Sequence, residues 1–163
     1  MAEPLERPYR CADMNDQRQF YVPPGGPPQG IAPSRDIYGI MGEANIFRMC
    51  ADFYAEIETS SIRHLFPEDL PEASKKIAAF FVGLLGGPAL YHERYGEPMM
   101  RARHLKFPID EAARREWLRC FNQVLADAPA RYRFPAEHLP GFIRFLDEFS
   151  KWMVNRGPGP TNA

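Results

Sequence analysis

Four histidines, three cysteines and a set of large aromatic residues are the side chains of this sequence that could carry chemistry. His64, His92, His104 and His138 are scattered and lack Cys or Asp/Glu companions at ligand spacing, so the pattern does not predict a metal held by several protein side chains. A single histidine can still hold a metal when a macrocycle supplies the other ligands. Such a site needs an aromatic slot between helices, one axial histidine, and cations at the mouth for the macrocycle's carboxylates. Phe66, Phe80, Phe81, Phe107 and Trp117 are available as walls. Residue type alone leaves a second reading open, in which the aromatic stripes are ordinary core and the histidines are solvated. There is no Gly-rich phosphate loop, no pair of histidines at helical spacing and no nucleophile elbow. Cys11, Cys50 and Cys120 are odd in number and match neither a disulfide framework nor a zinc site, and reduced thiols are expected.

The elements that must position these residues read as helices. Phe47, Cys50, Ala51, Tyr54 and Ile57 recur at three- and four-residue steps from residue 43, which places Tyr54 on the buried stripe of a helix of about four turns. A second helix starts near Pro71 and runs through Ala73, Ile77, Phe80, Phe81 and Leu84, with Gly86-Gly87-Pro88 as its stop. A third opens after Pro108 with Asp110 as N-cap and buries Ala113, Trp117, Cys120, Phe121 and Val124. The fourth lies between Pro135 and Asn155, with Leu139, Phe142, Leu146, Phe149 and Met153 along one face; Pro140 leaves its start open. Residues 88–107, which hold His92 and His104, show no sustained period. No alternating run suggests a strand, and the fold class expected is all-α.

Composition bounds the function. Among 163 residues, 20 Lys+Arg against 21 Asp+Glu give a formal charge of -1, which lacks the basic footprint of a nucleic-acid binder or of a protein docking on an anionic membrane. The longest uncharged apolar run, Ile77 to Tyr91, is broken by Gly-Gly-Pro and falls short of the roughly 20 residues that span a bilayer. The chain opens with Glu3, Glu6 and Asp13 among prolines rather than with a secretory signal, so a cytoplasmic location is expected. Seven of the 17 prolines fall in residues 1–35, which also carry the string VPPGGPPQG. Such composition favours an extended arm with little apolar surface to bury. The division expected is therefore an N-terminal extension over 1–35, a folded domain over 36–155 and a short tail over 156–163.

The order of features from Ile37 to Leu125 resembles the truncated haemoglobins, and within them the group II class. The residues that carry the resemblance are DFYAEIE around Tyr54, LFPEDL at Phe66, LLGGPALYHERYGEP ending at Pro98, RARHLKFPI around His104 and REWLRC around Trp117. The chain departs from the family where a Gly-Gly pair often opens the first main helix; here the pair is Gly42-Glu43. The resemblance implies a two-over-two helical sandwich around haem b, with His104 as the proximal iron ligand. It implies Tyr54 and Trp117 as distal hydrogen-bond donors, Phe66 as a haem-packing residue, and a small apolar gate at Ala73, where many globins place a histidine. Ile77, Phe80 and Phe107 would complete the walls, and Lys76 and Arg103 are the candidates for the propionates.

Two classes of function follow. The first is a haem protein that binds dioxygen, nitric oxide, carbon monoxide or similar small ligands at a pentacoordinate iron, as an oxygen carrier or as an enzyme with nitric oxide dioxygenase or peroxidase-like activity. Turnover would need a separate reductase, and a homodimer is compatible with this reading. The second is a non-haem helical interaction module that docks on a partner through its Pro-rich arm.

Overall fold

The structure, a computed structural model, describes residues 20–157. Residues 1–19 of the expected extension, Cys11 with them, and residues 158–163 of the expected tail lie outside the described residues. The helices are α1 (Ile37–Met41), α2 (Glu43–Glu58), α3 (Leu70–Leu84), α4 (Leu90–Tyr95), α5 (Met100–His104), α6 (Glu111–Leu125), α7 (Ala128–Tyr132) and α8 (Leu139–Met153). Single 3-10 turns stand at Arg63–Leu65 and Ala136–His138, and there is no strand among the described residues. No helix among them is long and apolar enough to cross a membrane.

Local chemistry explains the helix ends. Asp110 accepts from the Ala113 N–H at 2.8 Å, as its position before α6 predicts, and Asp69 accepts from the Glu72 N–H at 3.0 Å, which starts α3 just ahead of Pro71. Pro140 falls in the first turn of α8, where its missing N–H costs nothing, so the helix begins at Leu139. The stop after α3 does a second job. A Cβ at Gly86, whose φ is +107°, would lie 1.9 Å from the Arg35 carbonyl oxygen, and one at Gly87 would lie 2.6 Å from the Tyr38 ring. The two glycines thus end α3 and let residues 35–38 cross directly over it, where the Tyr38 N–H donates to the Leu85 carbonyl at 2.9 Å.

The α2–α3 pair packs on the α6–α8 pair, and aromatic rings join them. Phe53 of α2 stacks on Phe121 of α6 with ring centroids 3.8 Å apart, while Phe81 of α3 meets Phe121 at 5.9 Å and Phe142 of α8 at 5.6 Å. Between α6 and α8, Arg114 pairs with Asp147 at 3.0 Å. Phe142 has no exposed surface and also touches Phe134 at 5.3 Å. Phe142→Ala is expected to remove about 3–5 kcal/mol of stability, because the ring is fully buried between Phe81 and Phe134 and its loss leaves a cavity there. Urea denaturation followed by circular dichroism measures it; a loss below about 1 kcal/mol would mean that the site relaxes freely.

Two expectations shift in detail. The α2 stripe includes Phe53 and Met49, and Ala51 is exposed, because the buried arc is centred one residue away from the predicted face. Residues 88–107, expected to be irregular, contain α4 and α5, which at six and five residues are too short to display a period. Residues 20–35 lie along the body: the Tyr21 N–H donates to the Asn155 carbonyl at 3.0 Å, Pro33 is buried, and Arg35 donates to the Gly83 carbonyl at 3.2 Å.

Candidate functional site

The sequence shows one apolar face on α3, and the fold splits it in two. Ser74, Ala78, Phe81 and Val82 are buried in the core, whereas Ala73, Ile77, Phe80 and Leu84, at steps of four, three and four residues, are only half-buried. A helical stripe of apolar side chains that the protein itself leaves partly uncovered is a wall. Phe80 extends it through contacts with Tyr91 at 6.1 Å and Phe149 at 6.1 Å.

A second wall comes from α2, the turn after it, and α6. Tyr54 meets Phe66 edge-to-face at 5.7 Å and 88°, and Phe53 meets Tyr54 at 5.4 Å and Trp117 at 5.8 Å. Trp117, expected as core, is half-buried, while its neighbours Cys120 and Phe121 are fully so. Tyr54 is 9% exposed. Neither the Tyr54 hydroxyl nor the Trp117 indole N–H has a hydrogen-bond partner among the described residues, where no fully buried side-chain polar atom lacks one. Both donors therefore retain access to open space rather than satisfying each other or a backbone carbonyl. Burial, with the neighbouring Cys50 thiol adding to it, pushes the Tyr54 phenol above its usual range, so the hydroxyl keeps its proton.

His104 is the last residue of α5. Its ring Nδ1 lies 2.5 Å from the Met100 carbonyl one turn earlier, so the Nδ1–H donates there and the Nε2 lone pair is left for another partner. Burial lowers the imidazole pKa, the Met100 carbonyl opposes that shift, and Lys106 adds to it; the net effect is downward and the ring is neutral at pH 7. A neutral histidine whose second nitrogen is held by a carbonyl is the form that ligates metals. The Phe107 ring stands 6.5 Å from it, tilted by 64°.

The two candidate cations meet on one edge. Lys76 lies over the Tyr95 ring at 5.1 Å, and Arg103 lies over Tyr91 at 5.5 Å while donating to the carbonyls of Tyr95 at 3.0 Å and Glu97 at 2.7 Å. Tyr91 and Tyr95 are themselves 5.1 Å apart and Tyr91 abuts Phe80, so both cations flank the outer end of the α3 wall. The sequence reading overlooked this tyrosine pair and Phe53. The only signal was their position inside the strings ALYHERY and DFY, which mark helices without saying which face is used. The remaining histidines lie elsewhere: His64 and His92 are exposed, the latter 3.6 Å from a Glu97 oxygen, and His138 ends a 3-10 turn. No three His, Cys, Asp or Glu side chains gather as a ligand set among the described residues.

A two-over-two helical sandwich with an apolar slot and one oriented histidine defines a globin. The chain belongs to the bacterial-like globin family, which matches residues 36–153. It is 37% identical over 89 residues to the group 2 truncated hemoglobin YjbI of Bacillus subtilis, covering 54% of this chain and 67% of that one. It is 28% identical over 97 residues to two-on-two hemoglobin-3 of Arabidopsis thaliana, covering 57% and 55% of the two chains. Among solved structures it superposes on phosphate-bound Hell's gate globin IV with a TM-score of 0.73 and 36% identity, covering 80% of this chain and 81% of that one. The group II truncated hemoglobin of Bacillus anthracis gives a TM-score of 0.68 and 31% identity, covering 80% and 97%. The chain is a truncated globin of the group II class, and haem is the cofactor of its family. The residue types fit that group: one neutral imidazole, half-buried apolar side chains on α3 and α6, and two cations over Tyr91 and Tyr95.

Proposed function

We propose that this globin binds dioxygen and related diatomic ligands at haem, whose iron His104 would hold, with Tyr54 and Trp117 as the donors that would hold the ligand. The observation that carries the reading is the pair of aromatic donors with no acceptor among the described residues, set at the edge of the aromatic cluster of Phe53, Phe66 and Phe121. Haem supplies the iron that takes up the gas. The chain supplies the rest. Met100 orients the His104 ring through Nδ1, Ile77, Phe80 and Phe107 line the slot, and Lys76 and Arg103 receive the propionates. Phe66 packs against Tyr54 and fixes the direction of its hydroxyl. The family assignment favours this reading over an interaction module built on the Pro-rich arm.

Ala73 offers no acid or base, so peroxide cleavage would have to draw its proton from Tyr54, Trp117 or water. The turnover that fits this pocket is the conversion of nitric oxide and dioxygen to nitrate. That reaction consumes one electron per nitrate, which a separate reductase would return. Purified protein reconstituted with haem should show an intense Soret band and a five-coordinate ferrous spectrum. Persistent absence of the band after haem addition would overturn the proposal. Mixing the oxygenated ferrous protein with nitric oxide should yield one nitrate per haem; no nitrate would restrict the function to ligand binding.

A further inference from the structure

Two polar side chains distant from each other in sequence converge on the segment that carries His104. Arg101, one turn before it on α5, lies over the Trp152 ring at 4.6 Å and donates to the carbonyls of Trp152, of Val154 at 2.9 Å and of Tyr21 at 2.8 Å. Asn155 is fully buried. Its side-chain oxygen accepts from the Ile109 N–H at 3.0 Å, and its amide donates to the carbonyls of His104 at 3.2 Å and Phe107 at 2.9 Å. Its main chain donates to the Ile109 carbonyl at 2.9 Å and accepts from the Tyr21 N–H at 3.0 Å. Every hydrogen-bonding site of the Asn155 amide but one is used, and all of its side-chain bonds end on residues 104–109.

A helix of five residues cannot hold its own shape. It starts from Met99, an exposed residue with φ +37°, which gives it no capping side chain. Besides the Arg103 bonds to the nearby Tyr95 and Glu97 carbonyls, what orients α5 is the set of long-range bonds, and these come from the two ends of the described chain. The Arg101 guanidinium suits the task, because its planar fork reaches carbonyls of two segments at once and satisfies the Trp152 carbonyl that the last turn of α8 leaves unpaired.

We propose that Arg101 and Asn155 are positioning residues that clamp α5 and the following loop, so that the end of α8 and the Tyr21 segment set how His104 meets the iron. The inference rests on the reading of His104 as axial ligand. It adds a determinant of the strength of that bond that lies outside the pocket.

The test uses haem-loaded protein and five variants: Arg101→Gln, Arg101→Lys, Asn155→Ala, His104→Ala, and Tyr132→Phe as a control in the distant contact between Tyr132 and Asp52. Resonance Raman of the deoxygenated ferrous form reads the iron–histidine stretch, and transfer to excess apomyoglobin reads haem loss. Arg101→Gln and Asn155→Ala should shift the stretch and speed haem loss roughly tenfold, the scale of losing support to a metal ligand. Arg101→Lys should lie between Arg101→Gln and the parent, and the Ile109 amide of Asn155→Ala should exchange faster with solvent. Tyr132→Phe should lower the thermal midpoint without moving the stretch. A parental stretch and parental haem loss in both Arg101 variants overturn the clamp, whether or not Asn155→Ala folds. A lowered midpoint with an unmoved stretch overturns it equally, since the role is then structural. If His104→Ala keeps the parental stretch, the ligand reading itself fails, and that outcome is distinct from failure of the clamp.

Discussion

His104→Ala is expected to lose haem more than roughly a hundredfold faster than the parent, beyond the range seen when only a supporting contact to a metal ligand is removed. The slot still offers the apolar walls of Ile77, Phe80 and Phe107, so some haem will bind, but without a protein bond to iron its ferrous spectrum will change. His104→Gly with added imidazole should recover the parental ferrous spectrum, because the cavity left at the end of α5 accepts the free ring. His92→Ala and His138→Ala should retain haem as the parent does, since one is exposed and the other ends a turn. Absorption spectra and transfer of haem to apomyoglobin measure all four. Parental spectra in His104→Ala would remove this residue from the site.

Trp117→Phe is expected to speed dioxygen release roughly ten- to 150-fold, the equivalent of about 1.5 to 3 kcal/mol for a hydrogen bond to a strongly polarised acceptor. Carbon monoxide is less polar when held and should leave at nearly the parental rate. The substitution removes the indole N–H and keeps most of the ring that packs on Phe53 and Phe121 at 5.8 and 4.8 Å. Tyr54→Phe changes less volume and should act in the same direction. The two donors flank one aromatic cluster through Phe53, so their effects should not add, and the double variant measures the coupling. Autoxidation should quicken in both as the ligand loses its donors. Stopped-flow release of dioxygen at the parental rate in both single variants would return the two aromatics to a packing role.

The site residues became legible in different ways. Asp110, Pro71 and the Gly86-Gly87-Pro88 stop are local signals, because a cap or a stop depends on neighbours in the chain, and the structure puts helix ends within two residues of them. His104 could be singled out among four histidines only through its resemblance to a family motif. Nothing in the local chemistry of RARHLKFPI distinguishes it from the histidine of ALYHERY. The carbonyl of Met100 that orients its ring is a main-chain group, present in every sequence, and it becomes a partner only once α5 forms.

By itself the sequence determined an all-helical chain, the positions of α2, α3, α6 and α8, and the stripes from which the core is drawn. Those properties follow from spacing along a single helix. The tertiary structure decided which part of each stripe meets protein and which part is left open: Ala73, Ile77, Phe80 and Leu84 lie on the same apolar face of α3 as Phe81, and the packing of α2 on that helix, with Phe121 and Phe142 against Phe81, separates wall from core. It also decided the ties of Arg101 and Asn155 to the segment carrying His104, which join residues up to 80 positions apart. Periodicity carries no information about such pairs, because a hydrogen bond between distant segments depends on where two helix ends finish in space, and that is set by the packing of the whole chain.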